Sequence, residues 1–393
     1  MVISIKNLLI LSVFSFATFF ISNYVLDGSL NTAHNLGSEL KSPPDSLYQW
    51  RIGEEAPFKY RVLHRVIVMG TYYLLSSGQN DNALFIAIYR AYAFLFHVSA
   101  VFLFYFFLLK IKPENAALAG AILFSLLPAF SLAYNLPVHT REDMIAYSLL
   151  ILGLYSIINN HIFLLFVFVL LGVACRETLL LIPFVNLFFN SKQKLFWRFS
   201  IAAFAFVIFF MIRFFYGISE YDYLEGFRWN LHHFEQVVGF SYITFGVLWI
   251  PFFITLLKRE NHAGPVGLIY RSSTMVFILI IITTFIGGIF NEIRLLYLLA
   301  PWVILIGIDY YSLHQEQVRT YFKSKTYLSV IGLLFLVLVV LTSYVIKNIS
   351  SYIPPSQYAI SYESWIIVSM IQIYLGLIFI PVFAGIKINK RTS

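Results

Sequence analysis

The chain has one cysteine, Cys175, among 393 residues. That excludes an intramolecular disulfide and a metal centre built on thiolates. Charge is scarce too, at 12% of residues, about half of what soluble domains carry, so the chain lacks the polar groups needed to cover a soluble fold. A basic tail or arm is also absent. The formal net charge of +8 comes from Lys and Arg at the ends of apolar runs, so the excess signals membrane topology and not nucleic-acid binding. There is no strong internal repeat, no low-complexity tract and no separate soluble domain.

Apolar residues take the place of charge: 60% of the chain is hydrophobic and the mean hydropathy is +0.79. Long apolar runs lie near residues 5–25, 83–109, 115–136, 143–158, 162–189, 195–216, 239–257, 271–290, 294–312, 326–346 and 364–385. A backbone in lipid must satisfy its own polar groups, so these runs are helices. About twelve spans of roughly twenty residues, each crossing about 30 Å, account for most of the chain. The expected fold is therefore all-α, a polytopic bundle of about twelve helices forming one membrane domain over 1–393. The first run follows Lys6 and has no small-x-small cleavage site before Asp27, which makes it a retained signal anchor.

Basic clusters at Lys110/Lys112, Lys192/Lys194/Arg198, Lys258/Arg259/Arg271, Arg319/Lys323/Lys325 and Lys387/Lys390/Arg391 mark alternate turns. The positive-inside rule places these in the cytoplasm, with both termini. Residues 26–82, 137–142, 217–238, 291–293 and 347–363 then fall outside, with nearly all the acidic residues. The run 162–189 must begin and end inside, yet carries Cys175-Arg176-Glu177-Thr178 at its middle. It is read as two paired short helices meeting at a polar tip near the outer face. Within the long outer loop 26–82, residues 62–77 carry His64 and Arg65 in an apolar stretch and suit an amphipathic helix on the outer membrane surface.

Candidate chemistry sits on that outer side. Asp27 follows the first run at the start of a long loop and can act as a general base, help hold a divalent cation, or simply cap the helix end. Arg61 can hold a phosphate through its planar fork of donors, while the cations around it also suit lipid headgroups. His139, Thr140, Arg141, Glu142 and Asp143 form a compact acid and base cluster before a helix. Thr140 also suits an N-cap and the carboxylates suit the first-turn dipole. Asp27 and Asp143 are the metal candidates; the spacing of a His2Glu site is missing. Arg176 and Glu177 cost a few kcal/mol at membrane depth unless partnered or hydrated, which fits either a binding site or a salt bridge pinning the paired helices. Glu292 and Arg294 occupy a short outer turn. The acidic and aromatic loop 217–238 suits carbohydrate stacking or an interfacial aromatic belt.

In their order these parts resemble the GT-C fold glycosyltransferases, the membrane class that includes protein mannosyltransferases and lipid A aminoarabinose transferases. The resemblance is carried by Asp27 after the first helix, the long first outer loop with surface helices, Glu142-Asp143, Arg176-Glu177-Thr178-Leu179-Leu180, and Arg294 before a run to Pro301. Two departures stand out: Thr140-Arg141-Glu142-Asp143 replaces the usual Thr-Asp, and no large C-terminal soluble domain follows. The resemblance implies a polyprenyl-phosphate-linked sugar donor and a glycan, lipid or protein acceptor. Asp27 would be the base and Glu142 or Asp143 would orient the acceptor or a metal. Arg61, Arg176 and Arg294 would neutralise the departing phosphate, with His139, Glu177 and Glu292 lining the site. A bacterial inner membrane with the site facing the periplasm or exterior is the expected location. A lipid-linked saccharide transporter or flippase, a polysaccharide polymerase, and a purely structural membrane subunit are the alternatives.

Overall fold

The computed structural model describes residues 4–30, 60–76, 81–127, 130, 143–190, 192–217, 223–232, 234–258, 264–287 and 293–322, with isolated residues and pairs between 324 and 340. The side chains of 21–30, 82, 264, 265, 287, 293 and 294, and of some residues in 223–243 and beyond 314, lie outside the description. Among the described residues there is no strand. The helices are α1 (Ile5–Leu30), α2 (Leu63–Ser76), α3 (Asn82–Leu109), α4 (Glu114–Leu126), α5 (Asp143–Asn159), α6 (Ile162–Cys175) and α7 (Leu181–Phe189). They continue as α8 (Leu195–Tyr216), α9 (Tyr223–His232), α10 (Phe234–Phe245), α11 (Trp249–Lys258), α12 (Gly264–Gly287), α13 (Ile293–Leu296) and α14 (Ala300–Phe322). Ala83–Leu109, Leu195–Tyr216 and Val266–Ile286 are each long and apolar enough to cross a membrane.

At the centre is α5, apolar on every side and almost wholly buried, as a helix without a polar face must be. It packs against α3, α6 and α7. The approach to α7 is close: a Cβ on Gly153 would lie 2.8 Å from Ile182 Cδ1. The helix stops at Asn160, whose φ of 57° is the only positive value outside glycine among the described residues. His161 N–H then donates to Ser156 O at 2.9 Å and Asn160 N–H to Ile157 O at 3.2 Å, the double bond of a left-handed helix stop.

Cations from separate turns share one end of the bundle. Ser4 N–H and Asn7 Nδ2 donate to Glu114 Oε1 at 2.9 and 2.8 Å, which fixes the start of α1 to the start of α4, just past the turn after α3. Lys112 in that turn pairs with Asp309 on α14. Tyr270 on α12 donates to the same carboxylate at 2.8 Å, next to Arg271. Arg198 at the start of α8 donates to the carbonyls of Asn186, at 3.3 Å, and Leu187. Midway along the bundle, α1 meets α3 where Thr18 Oγ1 contacts His97 Nε2 at 3.0 Å.

Proline explains where helices break. Three 3₁₀ turns, Glu177–Leu180, Gly246–Leu248 and Tyr297–Leu299, each run directly into an α-helix. Each following helix has a proline within its first three residues: Pro183, Pro251 and Pro301. Proline has no N–H to give to the carbonyl four residues back, so it is accepted only in a first turn. In 162–189 the chain also reverses direction: Phe166 of α6 touches Trp197 and Phe204, while Phe184 of α7 touches Phe206 and the α7 end meets Arg198.

Two expectations are corrected. The first helix does not end before Asp27 but continues to Leu30, so Asp27 lies in its last turns and not in a loop. The helix at 63–76 exists, but its cations do not face the surroundings. His64 and Arg65 are buried with Val68, Met69, Tyr72 and Ser76, whereas Val66, Tyr73, Leu74 and Leu75 are exposed. The helix is amphipathic, but such a pattern does not say whether the polar side meets protein or the surroundings; packing against α3, through Tyr72 on Phe85 and His64 on Tyr89, turns it inward.

The α5–α7 contact is testable. Gly153→Ala should lower the thermal midpoint in detergent by the equivalent of about 1–3 kcal/mol through overpacking, and adding Ile182→Ala should recover part of the loss. An unchanged midpoint in Gly153→Ala would contradict the close approach.

Candidate functional site

Away from the shared lysine end, four charged side chains interlock. Asp143 is the first residue of α5 and is fully buried; Arg176 is 1% exposed and pairs with it. Arg176 is extended, with φ −160° and ψ 134°, because α6 has ended at Cys175 and the 3₁₀ turn begins at Glu177. This change of backbone direction turns the adjacent Arg176 and Glu177 to different partners. Glu177 accepts from Arg61, at 2.8 Å from Nη2 to Oε1 and 3.4 Å from Nε to Oε2. Arg61 is itself nearly fully buried.

A strap of three residues carries Arg61 across this end. Tyr60 OH donates to Gly217 O at 3.1 Å, at the end of α8, and Val62 N–H donates to Ala174 O at 2.8 Å, at the end of α6. The Arg213 guanidinium lies 4.5 Å from the Tyr60 ring centroid and 3.5 Å from that of Phe209, a cation–π arrangement that steadies the strap. Beyond the strap, α2 turns His64 and Arg65 inward. The buried Thr178 hydroxyl makes no hydrogen bond among the described residues.

One turn below Asp143 the floor becomes aromatic. Tyr147 meets Tyr297 edge-on with centroids 5.0 Å apart, and Phe124, Phe130 and Phe245 surround Tyr297. The Tyr297 hydroxyl donates to the Phe124 carbonyl. Charge therefore stops at the level of Asp143. In apolar surroundings a guanidinium and a carboxylate are tolerated when paired. A guanidinium has five N–H donors, of which a carboxylate held side-on engages two.

Of the residues singled out in the sequence, Arg61, Asp143, Arg176 and Glu177 come together. His139, Glu142 and Glu292 lie outside the described residues, as do the side chains of Asp27 and Arg294. Arg294 has its backbone in α13. The cation neutralising Asp143 is Arg176, and no group of three or more His, Cys, Asp or Glu able to hold a metal occurs among the described residues. Sequence reading missed the inward turn of Arg65, the strap anchor Tyr60, and Arg213. Arg213 left a signal, as a charge in the last turn of a span whose other charge is Arg198 at its start, and Arg65 left one in the amphipathic pattern of α2. The structure defines an all-helical bundle with a buried, doubly ion-paired site. No family model, curated protein or solved structure matches the chain.

Breaking the deeper pair should be costly. Arg176→Leu leaves a buried carboxylate without its cation and should destabilise the protein by about 3–5 kcal/mol, while Arg176→Leu with Asp143→Leu should cost less than either single change. Thermal unfolding in micelles reads the difference, and simple additivity would show that the two do not act as a pair.

Proposed function

We propose that the chain is a membrane glycosyltransferase of the GT-C type, transferring a sugar from a polyprenyl-phosphate donor to an acceptor hydroxyl. The observation that supports this best is the pair of interlocked arginine–carboxylate contacts within an apolar bundle, away from the lysine-rich end. Lysine turns remain in the cytoplasm, so the ion-paired end faces the periplasm or exterior of a multi-pass protein of about twelve spans. A lipid-linked donor keeps its tail in the bilayer and its phosphate at this end. The exposed apolar face of α2 and the cations behind it suit that division between tail and phosphate.

In the proposed reaction the acceptor oxygen forms a bond to the anomeric carbon as the bond from that carbon to the phosphate oxygen breaks. The electron pair leaves on the phosphate, where Arg61 and Arg176 donate, with Arg294 as a third contributor. The acceptor proton passes to Asp27. Direct displacement inverts the anomeric configuration. Asp143 and Glu177 are positioning residues: each fixes a guanidinium plane, and a carboxylate already held by a guanidinium is a weak proton acceptor. The Thr178 hydroxyl is a further donor. Any divalent metal would need Asp27, Glu142 or His139 to join Asp143.

A flippase for lipid-linked saccharide has one observation in its favour, the three helices interrupted by 3₁₀ turns, since transporters build substrate sites from broken helices. Two of those interruptions lie in apolar surroundings, which favours the transferase. Reconstituted protein supplied with polyprenyl-phosphate sugars and hydroxyl acceptors separates the two. Asp27→Asn should reduce turnover at least ~100-fold while donor still binds, and Arg61→Lys should weaken donor binding. Full turnover by Asp27→Asn removes Asp27 from the mechanism, and movement of donor between leaflets without transfer would replace the reading by the flippase.

A further inference from the structure

At the opposite end of the bundle from the ion-paired site, a cavity of about 310 Å³ lies between α3 and α5, lined by Leu103, Phe106, Phe107, Lys110, Ile151, Leu152 and Tyr155. Ligand pockets span about 300–1,000 Å³, so this one takes a single chain and not a whole lipid. Its polarity is graded. Both helices descend toward the lysine-rich end, so Leu103 and Ile151 form the apolar deep part and Lys110 and Tyr155 the polar rim. Seven residues of α3 separate Leu103 from Lys110, about 10 Å along the axis. Phe106 is 40% exposed, so the cavity opens sideways to the surroundings of the bundle.

The rim groups are available. Lys112, two residues on, is taken by Asp309, whereas the Lys110 ammonium and the Tyr155 phenol make no hydrogen bond or ion pair among the described residues. An exposed ammonium and a phenol at the mouth of an apolar slot match a phosphate joined to a hydrocarbon chain. The slot's direction, apolar toward the middle and cationic toward the lysine-rich end, is that of a phospholipid in the adjoining leaflet.

We infer that this groove seats one acyl chain of an anionic phospholipid, with Lys110 and Tyr155 holding its headgroup phosphate. The inference does not depend on the transferase reading, since the groove lies at the other end of the bundle. One lysine near a membrane surface contributes about fivefold in preference for an anionic lipid, roughly 1 kcal/mol.

Photo-crosslinking tests it in reconstituted full-length protein, using phosphatidylglycerol with a diazirine in its acyl chain and the matching phosphatidylcholine. The expected result is labelling of peptides containing Leu103–Phe107 and Ile151–Tyr155 that is about fivefold stronger with phosphatidylglycerol. Lys110→Gln, an exposed substitution that leaves packing intact, should bring the two lipids level, and Tyr155→Phe should lower labelling by both. Leu152→Trp, which fills the slot, should abolish it. Equal labelling by both lipids in the unaltered protein, or labelling unchanged by both Lys110→Gln and Leu152→Trp, overturns the inference.

Discussion

The arrangement turns on one electrostatic constraint: a guanidinium or carboxylate inside an apolar bundle must meet its opposite charge, and there are few places where it can. Arg176 and Asp143 meet that requirement by joining the end of α6 to the start of α5, the most buried helix of the bundle. Glu177 and Arg61 extend the contact to the strap that runs from α8 to α6. Each pair draws together segments far apart in the chain, 116 residues in the case of Arg61 and Glu177. The end of α6 is thereby fixed to the start of α5 and to Arg61. Buried pairs add little net stability against apolar replacements of equal volume, so what these pairs supply is orientation: they fix the planes of the two guanidinium groups.

Backbone chemistry makes the pairing possible. A continuous helix through 162–189 would carry Arg176 and Glu177 only 100° apart on one rod, with both charges crossing apolar surroundings. The break places Arg176 in extended backbone and Glu177 in a 3₁₀ turn, so neighbours in sequence serve different partners. Pro183 prevents repair of the break, because its ring removes the hydrogen bond that would continue the helix. The same device recurs at Pro251 and Pro301, where the tightened turns bury Gly246 and Tyr297. Tyr297 there becomes part of the aromatic floor beneath Asp143.

Much of this was legible in the sequence. The apolar runs from 5–25 to 294–312 fall on helices, while 364–385 and most of 326–346 lie outside the described residues and the breaks at 246–248 and 297–299 gave no sign; the division of 162–189 followed from its central polar tetrad and the alternation of the basic clusters. Arg61, Asp143, Arg176 and Glu177 were recognisable because charge is conspicuous in so apolar a chain. Partner choice was not legible: a salt bridge within the paired helices and a site reaching other elements look identical in sequence. The length of α1 was missed because Asp27-Gly28 resembles a stop signal, while the helix continues to Leu30.

The sequence by itself determined the kind of structure. Apolar runs with so few charges can satisfy their backbones only as helices, and basic turns label the ends of those helices. Tertiary structure decided which way α2 faces and which carboxylate each arginine meets. An amphipathic helix does not say which of its faces meets the protein, and a charge carries no address. Both are set only when neighbouring helices offer, on one side, rings to pack against and, at one point, an opposite charge to neutralise.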